Sequence, residues 1–389
     1  MNDNPITSLD HYRLLGRSGL RVSPLCLGTM TFGADWGWGA DNDTSKAIFD
    51  AYASRGGNFI DTDNFYTNGT SERLLGDLIG PDRDHFVLAT KYTLNMRPGD
   101  PNAGGNHRKN MVRSVEGSLK RLGTDYIDLY WLHAWDFTTP IEEVMRALDD
   151  LVRAGKILHV GASNTPAWKI AQASTLSALM GWTPFVAMQV EYSLAVRDVE
   201  RELLPMAREL GIAVLPWSPL AGGILTGKYG LQDLRKQKAG EDQPWFGLEN
   251  RSLLLTERRL GIANAVKSVA KEIGRTPAQV AINWLFTREG VVSVIPGARK
   301  IEQFDDNLAA LEFTLDPAHL RRLEAVSAIE LGCPHDDLCS GQVRDLITGG
   351  AVVGAAADKS SIVRHKCWEL PAAYTGDCPM SASAVACGA

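Results

Sequence analysis

Eight short runs of β-branched and apolar residues recur along the chain, each followed by a stretch with helical punctuation. The runs are Leu25–Met30, Asn58–Asp63, Phe86–Tyr92, Ile127–His133, Ile157–Asn164, Phe185–Tyr192, Ile212–Ser218 and Val291–Ala298. Several are nearly continuous in apolar residues, the pattern of parallel strands covered on both faces. Strand then helix, repeated around the chain, predicts an α/β fold closed as a (β/α)8 TIM barrel. An open doubly wound sheet is the rival, but no Gly-x-Gly-x-x-Gly follows an early strand, where that fold would hold a dinucleotide.

The punctuation supports this reading. Thr139-Pro140-Ile141-Glu142 predicts an N-cap, a first-turn proline and a capping-box acid, and Thr276-Pro277-Ala278-Gln279 repeats the logic. Thr165-Pro166 opens another helix. Residues 11–24 lie outside the alternation and read as a β-hairpin turning at Arg17-Ser18-Gly19, placed to cap the bottom of the barrel. From 346 onward the chain is rich in Ala, Gly, Ser and Cys without a period, which predicts a barrel domain over 1–345 and a loosely ordered C-terminal tail over 346–389.

Bulk properties exclude several classes. The formal net charge is −6, with both signs interspersed, so no nucleic-acid or membrane-surface partner is expected. The N-terminus lacks an apolar leader and no apolar run approaches a bilayer span, so a cytoplasmic location is expected. Only Cys26 precedes residue 330, while Cys333, Cys339, Cys367, Cys378 and Cys387 crowd the end; the spacings fit no zinc module, and reduced, unpaired thiols are expected.

In a barrel the chemistry sits at the C-terminal ends of the strands. Those ends carry Asp61 with Tyr66 five residues later, Lys91, and His133. Each alone is as well read as a structural residue. Together they place an acid, a phenol, an amine and an imidazole at one mouth. A phenol is a poor acid at neutral pH, a neighbouring ammonium is expected to lower its pKa, and a carboxylate would hold that ammonium. Carbonyl reduction needs such a proton donor at oxygen while hydride arrives at carbon. A metal-dependent barrel needs several His and carboxylate ligands converging, and only His133 sits at a strand-end mouth, so no metal is expected.

Phe59-Ile60-Asp61-Thr62 followed by Tyr66, then Asn68-Gly69-Thr70-Ser71-Glu72, Thr90-Lys91 and Trp131-Leu132-His133, resembles the aldo-keto reductase superfamily, from about residue 12 to about 345. The likeness looks nearest to the bacterial branch that includes the voltage-gated potassium-channel β subunits. The resemblance implies that Asp61, Tyr66, Lys91 and His133 form a catalytic tetrad, with Tyr66 the general acid in reduction and the general base in oxidation. It also implies an NADP(H)-dependent interconversion of an aldehyde or ketone with an alcohol. One departure is local: many relatives have Thr-Ala-Asp after the Asp, where this chain has Thr62-Asp63-Asn64, a change expected to touch substrate contacts rather than catalysis.

The later strands carry a second polar set. Ser163, Asn164 and Gln189 offer hydroxyl and amide groups that can pair with a carboxamide, and the resemblance assigns them to the nicotinamide amide. Trp217 is equally well read as packing or ring stacking; the resemblance favours stacking and adds Thr29 to the cofactor residues. Ser218-Pro219-Leu220-Ala221-Gly222-Gly223 and Lys228 suit a pyrophosphate, through glycines that admit close backbone approach and a positive charge. The following stretch to about 258, with Pro244-Trp245-Phe246, is expected to act as a flap. Gly297, Arg299, Gln303 and Asn307 open the last helix, where the resemblance puts the 2′-phosphate and adenine, with Arg299 supplying most of the charge.

Trp36 and Trp38, in a glycine-punctuated loop, are expected to join Phe65, Tyr92 and Trp135 in an aromatic wall around a bulky or apolar carbonyl substrate. The alternative reading is an NADP-binding regulatory or redox-sensing subunit with slow turnover. A homo-oligomer is left open.

Overall fold

The computed structural model describes residues 7–239 and 254–351. The chain divides into a unit Met1–Ile329 and a second unit Glu330–Ala389. The expected flap residues Pro244-Trp245-Phe246 and most of the expected tail lie outside the described residues.

The first unit opens with the predicted hairpin, β1 (Arg13–Leu14) and β2 (Arg21–Val22), antiparallel with Arg13 opposite Val22. Leu15 N–H donates to Leu20 O at 2.9 Å, closing the turn. Seven parallel strands follow in chain order: β3 (Leu27–Gly28), β4 (Phe59–Asp61), β5 (Val87–Tyr92), β6 (Ile127–Leu132), β7 (Ile157–Ser163), β8 (Phe185–Glu191) and β9 (Ala213–Trp217). The predicted eighth strand is present as bridges only, yet it closes the sheet. Leu25 and Gly28 pair with Val294 and Gly297 on one side, and Val214 and Trp217 pair with Val291 and Ile295 on the other. Ile295 N–H donates to Pro216 O and Cys26 N–H to Val294 O, so the segment is hydrogen-bonded to both neighbours. The fold is a (β/α)8 barrel.

Two apolar layers result. One lies between strands and outer helices and holds most of the buried Leu, Ile and Val. The other fills the barrel, with Cys26, Phe59, Ala89, Leu129, Trp131, Ala187, Ala213, Leu215 and Ile295, and the hairpin adds Leu15 and Val22 from below. Gly16 fits that junction because a Cβ there would sit 2.1 Å from Val186 O. The hairpin therefore caps the barrel as expected.

Side chains on a strand alternate faces with period two. The inward set Phe59, Ala89, Trp131, Gly161, Ala187 and Leu215 therefore puts Asp61, Lys91, His133, Ser163, Gln189 and Trp217 on the same inner face, one step nearer the mouth. That alternation is what assembles the site.

The helix start at Thr139 differs from expectation. The helix runs Ile141–Arg153 with Pro140 at the cap and no side-chain cap bond. Asp136 organises the approach instead, accepting from Thr138 N–H and Thr139 N–H at 2.9 Å each and from the Thr139 hydroxyl at 2.7 Å. Thr276 does cap Pro277–Phe286, with a full capping box to Gln279. In the second unit a helix spans Gly341–Thr348, past the expected domain edge at 345. Cys339 is disulfide-bonded, which corrects the expectation of unpaired thiols there, whereas Cys26 and Cys333 are free. No described helix is long and apolar enough to cross a membrane.

Trp131 spans the barrel interior only because residue 161 has no side chain. A Cβ on Gly161 would lie 2.2 Å from the Trp131 ring and 2.9 Å from Ala187 O, at a register shift between β7 and β8. Gly161→Ala is expected to destabilise the fold by about 1–3 kcal/mol through overpacking, read as a lower urea midpoint with an unchanged slope.

Candidate active site

Lys91 is fully buried on β5, so each of its three N–H groups needs an acceptor. Asp61 Oδ2 stands 2.6 Å away, the Thr62 carbonyl 2.7 Å and the Tyr66 hydroxyl 3.1 Å. All three belong to the end of β4 and the turn after it. The other Asp61 oxygen, Oδ1, accepts from Gln189 Nε2 at 2.9 Å, and the Asp61 carbonyl accepts from the Thr29 hydroxyl at 2.9 Å.

The turn that carries Tyr66 is strained. Thr67 (φ 46°), Asn68 (φ 56°) and Gly69 (φ 85°) are left-handed in succession, and Thr67 is β-branched, for which such a φ is unfavourable. The Thr67 hydroxyl compensates by donating to Phe32 O at 2.8 Å and accepting Ser71 N–H at 3.1 Å.

Burial and charge compete throughout. Burial raises the Tyr66 phenol above its ordinary value, against the opposing pull of the Lys91 ammonium. The lowered phenol expected from the sequence is corrected in sign, because desolvating a phenolate outweighs one cation that Asp61 already shares. Burial alone would depress Lys91, but Asp61, Tyr66 and Asp63 together raise it, so the amine stays charged. Burial also raises Asp61, against Lys91 and Gln189.

His133 follows β6 directly, and its Nδ1 contacts Asp63 Oδ2. Asn164 Nδ2 donates to His133 O at 3.0 Å and to Ser163 Oγ at 3.1 Å. The four expected tetrad positions, Thr29, Ser163, Asn164 and Gln189 thus form one bonded cluster, with Asp63 linking His133 to the β4 turn. Asp63, Thr62 and Thr67 were not singled out from the sequence for these contacts. The only pointer was the departure from the family pattern at Thr62-Asp63-Asn64.

The remaining expected cofactor residues form two groups. At the end of β9, Trp217 buries its Nε1 without a hydrogen-bond partner. Ser218, Ala221, Gly222 and Gly223 are all left-handed, with Pro219 and Leu220 between them, and Ser218 Oγ accepts Gly222 N–H at 3.3 Å. Lys228 Nζ lies 2.9 Å from where a Cβ on Gly223 would stand, so the glycine makes room for the ammonium. Beyond the closing segment, Arg299 N–H donates to Gln303 Oε1 at 2.9 Å and Asn307 Nδ2 to Gly297 O at 3.3 Å. A left-handed glycine loop beside a lysine, and an arginine at a helix start, are donors of the kind a dinucleotide requires.

Of the aromatic wall, Trp36 stands 5.5 Å from Trp38 and 5.9 Å from Phe65, ring to ring. Trp135 is buried, with Lys169 5.0 Å over its ring. Tyr92 does not join the wall. It is fully buried and stacked on Tyr130 among the outer-layer residues, because its place on β5 points away from the barrel interior.

The sequence profile of the aldo/keto reductase family matches residues 24–328, the span that holds every one of these groups. The chain belongs to the aldo/keto reductase family. Norsolorinic acid reductase of Aspergillus flavus is 37% identical over 344 residues, covering 85% of this chain and 84% of the relative. An aryl-alcohol dehydrogenase [NADP(+)] of Phanerodontia chrysosporium is 37% identical over 347 residues, covering 85% and 89%. The aldo-keto reductase ausK of Aspergillus calidoustus is 35% identical over 376 residues, covering 93% of each. As an aldo/keto reductase with such relatives, the chain falls in a class that interconverts carbonyls and alcohols.

Removing the ammonium would strand a buried carboxylate. Lys91→Met is expected to cost about 3–5 kcal/mol of stability at mildly alkaline pH. Asp61 is already shifted upward, so it takes a proton as pH falls and the deficit relative to wild type shrinks. Urea denaturation at pH 8 and pH 5 checks both the size and the sign.

Proposed function

We propose that the protein is an NADP(H)-dependent oxidoreductase that interconverts an aromatic aldehyde or ketone with its alcohol, using Tyr66 as the proton donor in reduction and acceptor in oxidation. The observation that carries this reading is the Lys91 ammonium held between Asp61 and the Tyr66 hydroxyl at 2.6 and 3.1 Å. With its pKa raised, Tyr66 is protonated at neutral pH and holds a proton to give. The phenolate left behind lies against a charge-retaining ammonium, which limits the cost of donation. His133 is the neighbouring imidazole that can bond the substrate oxygen and orient it toward Tyr66.

Trp217 and the carboxamide-pairing set Ser163, Asn164 and Gln189 would hold the nicotinamide end of the cofactor. Gln189 spends its Nε2 on Asp61, which leaves its Oε1 as the acceptor for an amide N–H. The 218–223 loop and Lys228 would take the pyrophosphate, and Arg299 the 2′-phosphate, with Gln303 and Asn307 beside the adenine. When bound, the nicotinamide supplies or accepts the hydride. The chain's own residues orient the carbonyl and hold or move the proton at the Tyr66 hydroxyl.

An aromatic substrate is supported by the Trp36, Trp38 and Phe65 cluster and by the name of one relative, an aryl-alcohol dehydrogenase. Thr70 Oγ1 donates to Asp35 at 3.0 Å and ties this loop to the helix after the Tyr66 turn, so wall and proton donor share one support.

Tyr66→Phe is expected to abolish NADPH oxidation with aromatic aldehydes while NADPH affinity, followed by protein fluorescence, stays nearly unchanged. Retained turnover, or lost NADPH binding, refutes the role. Arg299→Ala is expected to weaken NADPH roughly 10- to 100-fold, the worth of a charge-assisted phosphate contact, and to leave NADH little affected. Equal loss for both cofactors would remove the 2′-phosphate assignment.

A further inference from the structure

Asp63 belongs to the Thr62-Asp63-Asn64 stretch of the β4 turn, and the structure gives it a specific environment. Its side chain is fully buried. Oδ1 accepts the Phe65 N–H at 2.6 Å, which fixes the carboxylate plane against its own turn. Oδ2 contacts Nδ1 of His133, whose ring is 17% exposed. The His133 backbone is held independently, its N–H donating to Tyr92 O at 3.1 Å and its carbonyl accepting from Asn164. Backbone contacts therefore fix where the residue sits, and the carboxylate is what engages the ring.

We infer that Asp63 is a positioning residue for His133: it holds a proton on Nδ1, fixes the ring's rotation, and leaves Nε2 as the nitrogen that meets the substrate oxygen. An imidazole without such a partner exchanges its single proton between two nitrogens, and only one arrangement presents a defined group to a ligand. A buried carboxylate accepts but cannot donate, so it selects the arrangement with hydrogen on Nδ1 and supports the ring when it carries both protons. Burial would push Asp63 upward, but His133, Lys91 and the Phe65 amide together hold it below the ordinary carboxylate range, so the acceptor is ionised. The other titratable groups around the pair are Asp61 on β4, Lys91 on β5, Tyr66 in the turn and Tyr130 on β6. None of the three acidic groups among them contacts the ring nitrogen as Asp63 does. The departure at 63 is thereby assigned to the proposed catalytic imidazole, where the sequence alone pointed to substrate contacts.

This inference deepens the oxidoreductase reading and rests on it for its kinetic consequence, whereas its structural content can be read without turnover. The test takes the full chain labelled with ¹⁵N in its histidine rings, as wild type, Asp63→Ala and Asp63→Asn. Imidazole correlation spectra at neutral pH, with His133→Gln to assign the signals, report which nitrogen carries hydrogen. Wild type is expected to show His133 protonated at Nδ1, and Asp63→Ala to lose that signature. Asp63→Asn, which can still accept the Phe65 N–H and keeps the turn, should show an intermediate shift. With an aromatic aldehyde and NADPH, kcat/KM is expected to fall about 10- to 100-fold in Asp63→Ala and less in Asp63→Asn, the range found for carboxylates that orient metal-binding histidines. NADPH affinity should stay within a few-fold. Unchanged imidazole signals in both variants overturn the inference, as does an unprotonated Nδ1 in wild type. If wild type neither binds NADPH nor turns over, the oxidoreductase reading fails, and the ring spectra still decide whether Asp63 sets the state of His133.

Discussion

A desolvated ammonium at the mouth of the barrel is the constraint around which the rest is arranged. An unpaired Lys91 at that depth would be costly, and three oxygens from one short segment remove the cost: a carboxylate, a carbonyl and a phenol. Supplying all three requires β4 to stop at Asp61, the chain to turn immediately, and Tyr66 to fold back over β5. The left-handed run at Thr67, Asn68 and Gly69 is the backbone price of that return. Thr67 sustains it with two side-chain hydrogen bonds that tie the turn to Phe32 and Ser71. Strain here is held in place by the same contacts that present the phenol.

The floor beneath the ammonium matters as much as its partners. Trp131 fills the barrel one step below His133, and Gly161 yields the space for its ring. Leu15 and Val22 complete the filling from the hairpin side. With the interior packed by side chains, the polar groups at the inner strand ends face one side only, the mouth. Their low-dielectric setting sends Tyr66 and Asp61 upward, and the facing Asp61, Tyr66 and Asp63 keep Lys91 charged against its own burial.

Much of this was legible in the chain. Eight apolar runs gave eight barrel positions, because a strand buried on both faces has to be apolar along its length. The strand-end residues Asp61, Lys91, His133, Ser163, Gln189 and Trp217 were legible because period two carries an inward residue to the next inward position. What depends on tertiary distance was less accessible. The sign of the Tyr66 shift follows from how much water is lost, which no spacing records. Tyr92 looked like a rim aromatic until parity placed it on the outer face, stacked on Tyr130. The cap at Thr139 was displaced by Asp136, which takes three contacts from its own loop and a fourth from the Asn106 N–H. The last strand reads as strongly as the others but forms only bridges, since its partners on either side set the register at Val294, Gly297, Val291 and Ile295.

Charge balance ties these elements to the unusual residue at 63. Asp61 and Asp63 lie two positions apart and raise one another's cost, an effect felt directly at Asp61. Lys91 opposes both but bonds only the first. A second carboxylate in that turn therefore needs a second partner, and the nearest group able to carry charge is the imidazole at the end of β6. A small residue at 63 would leave His133 to choose its own proton position, whereas an aspartate couples that choice to the β4 turn. The consequence is that phenol, ammonium and imidazole, which come from three different strand ends, are all referenced to one seven-residue stretch from Ile60 to Tyr66. A displacement of that stretch would move the phenol, the ammonium and the imidazole together.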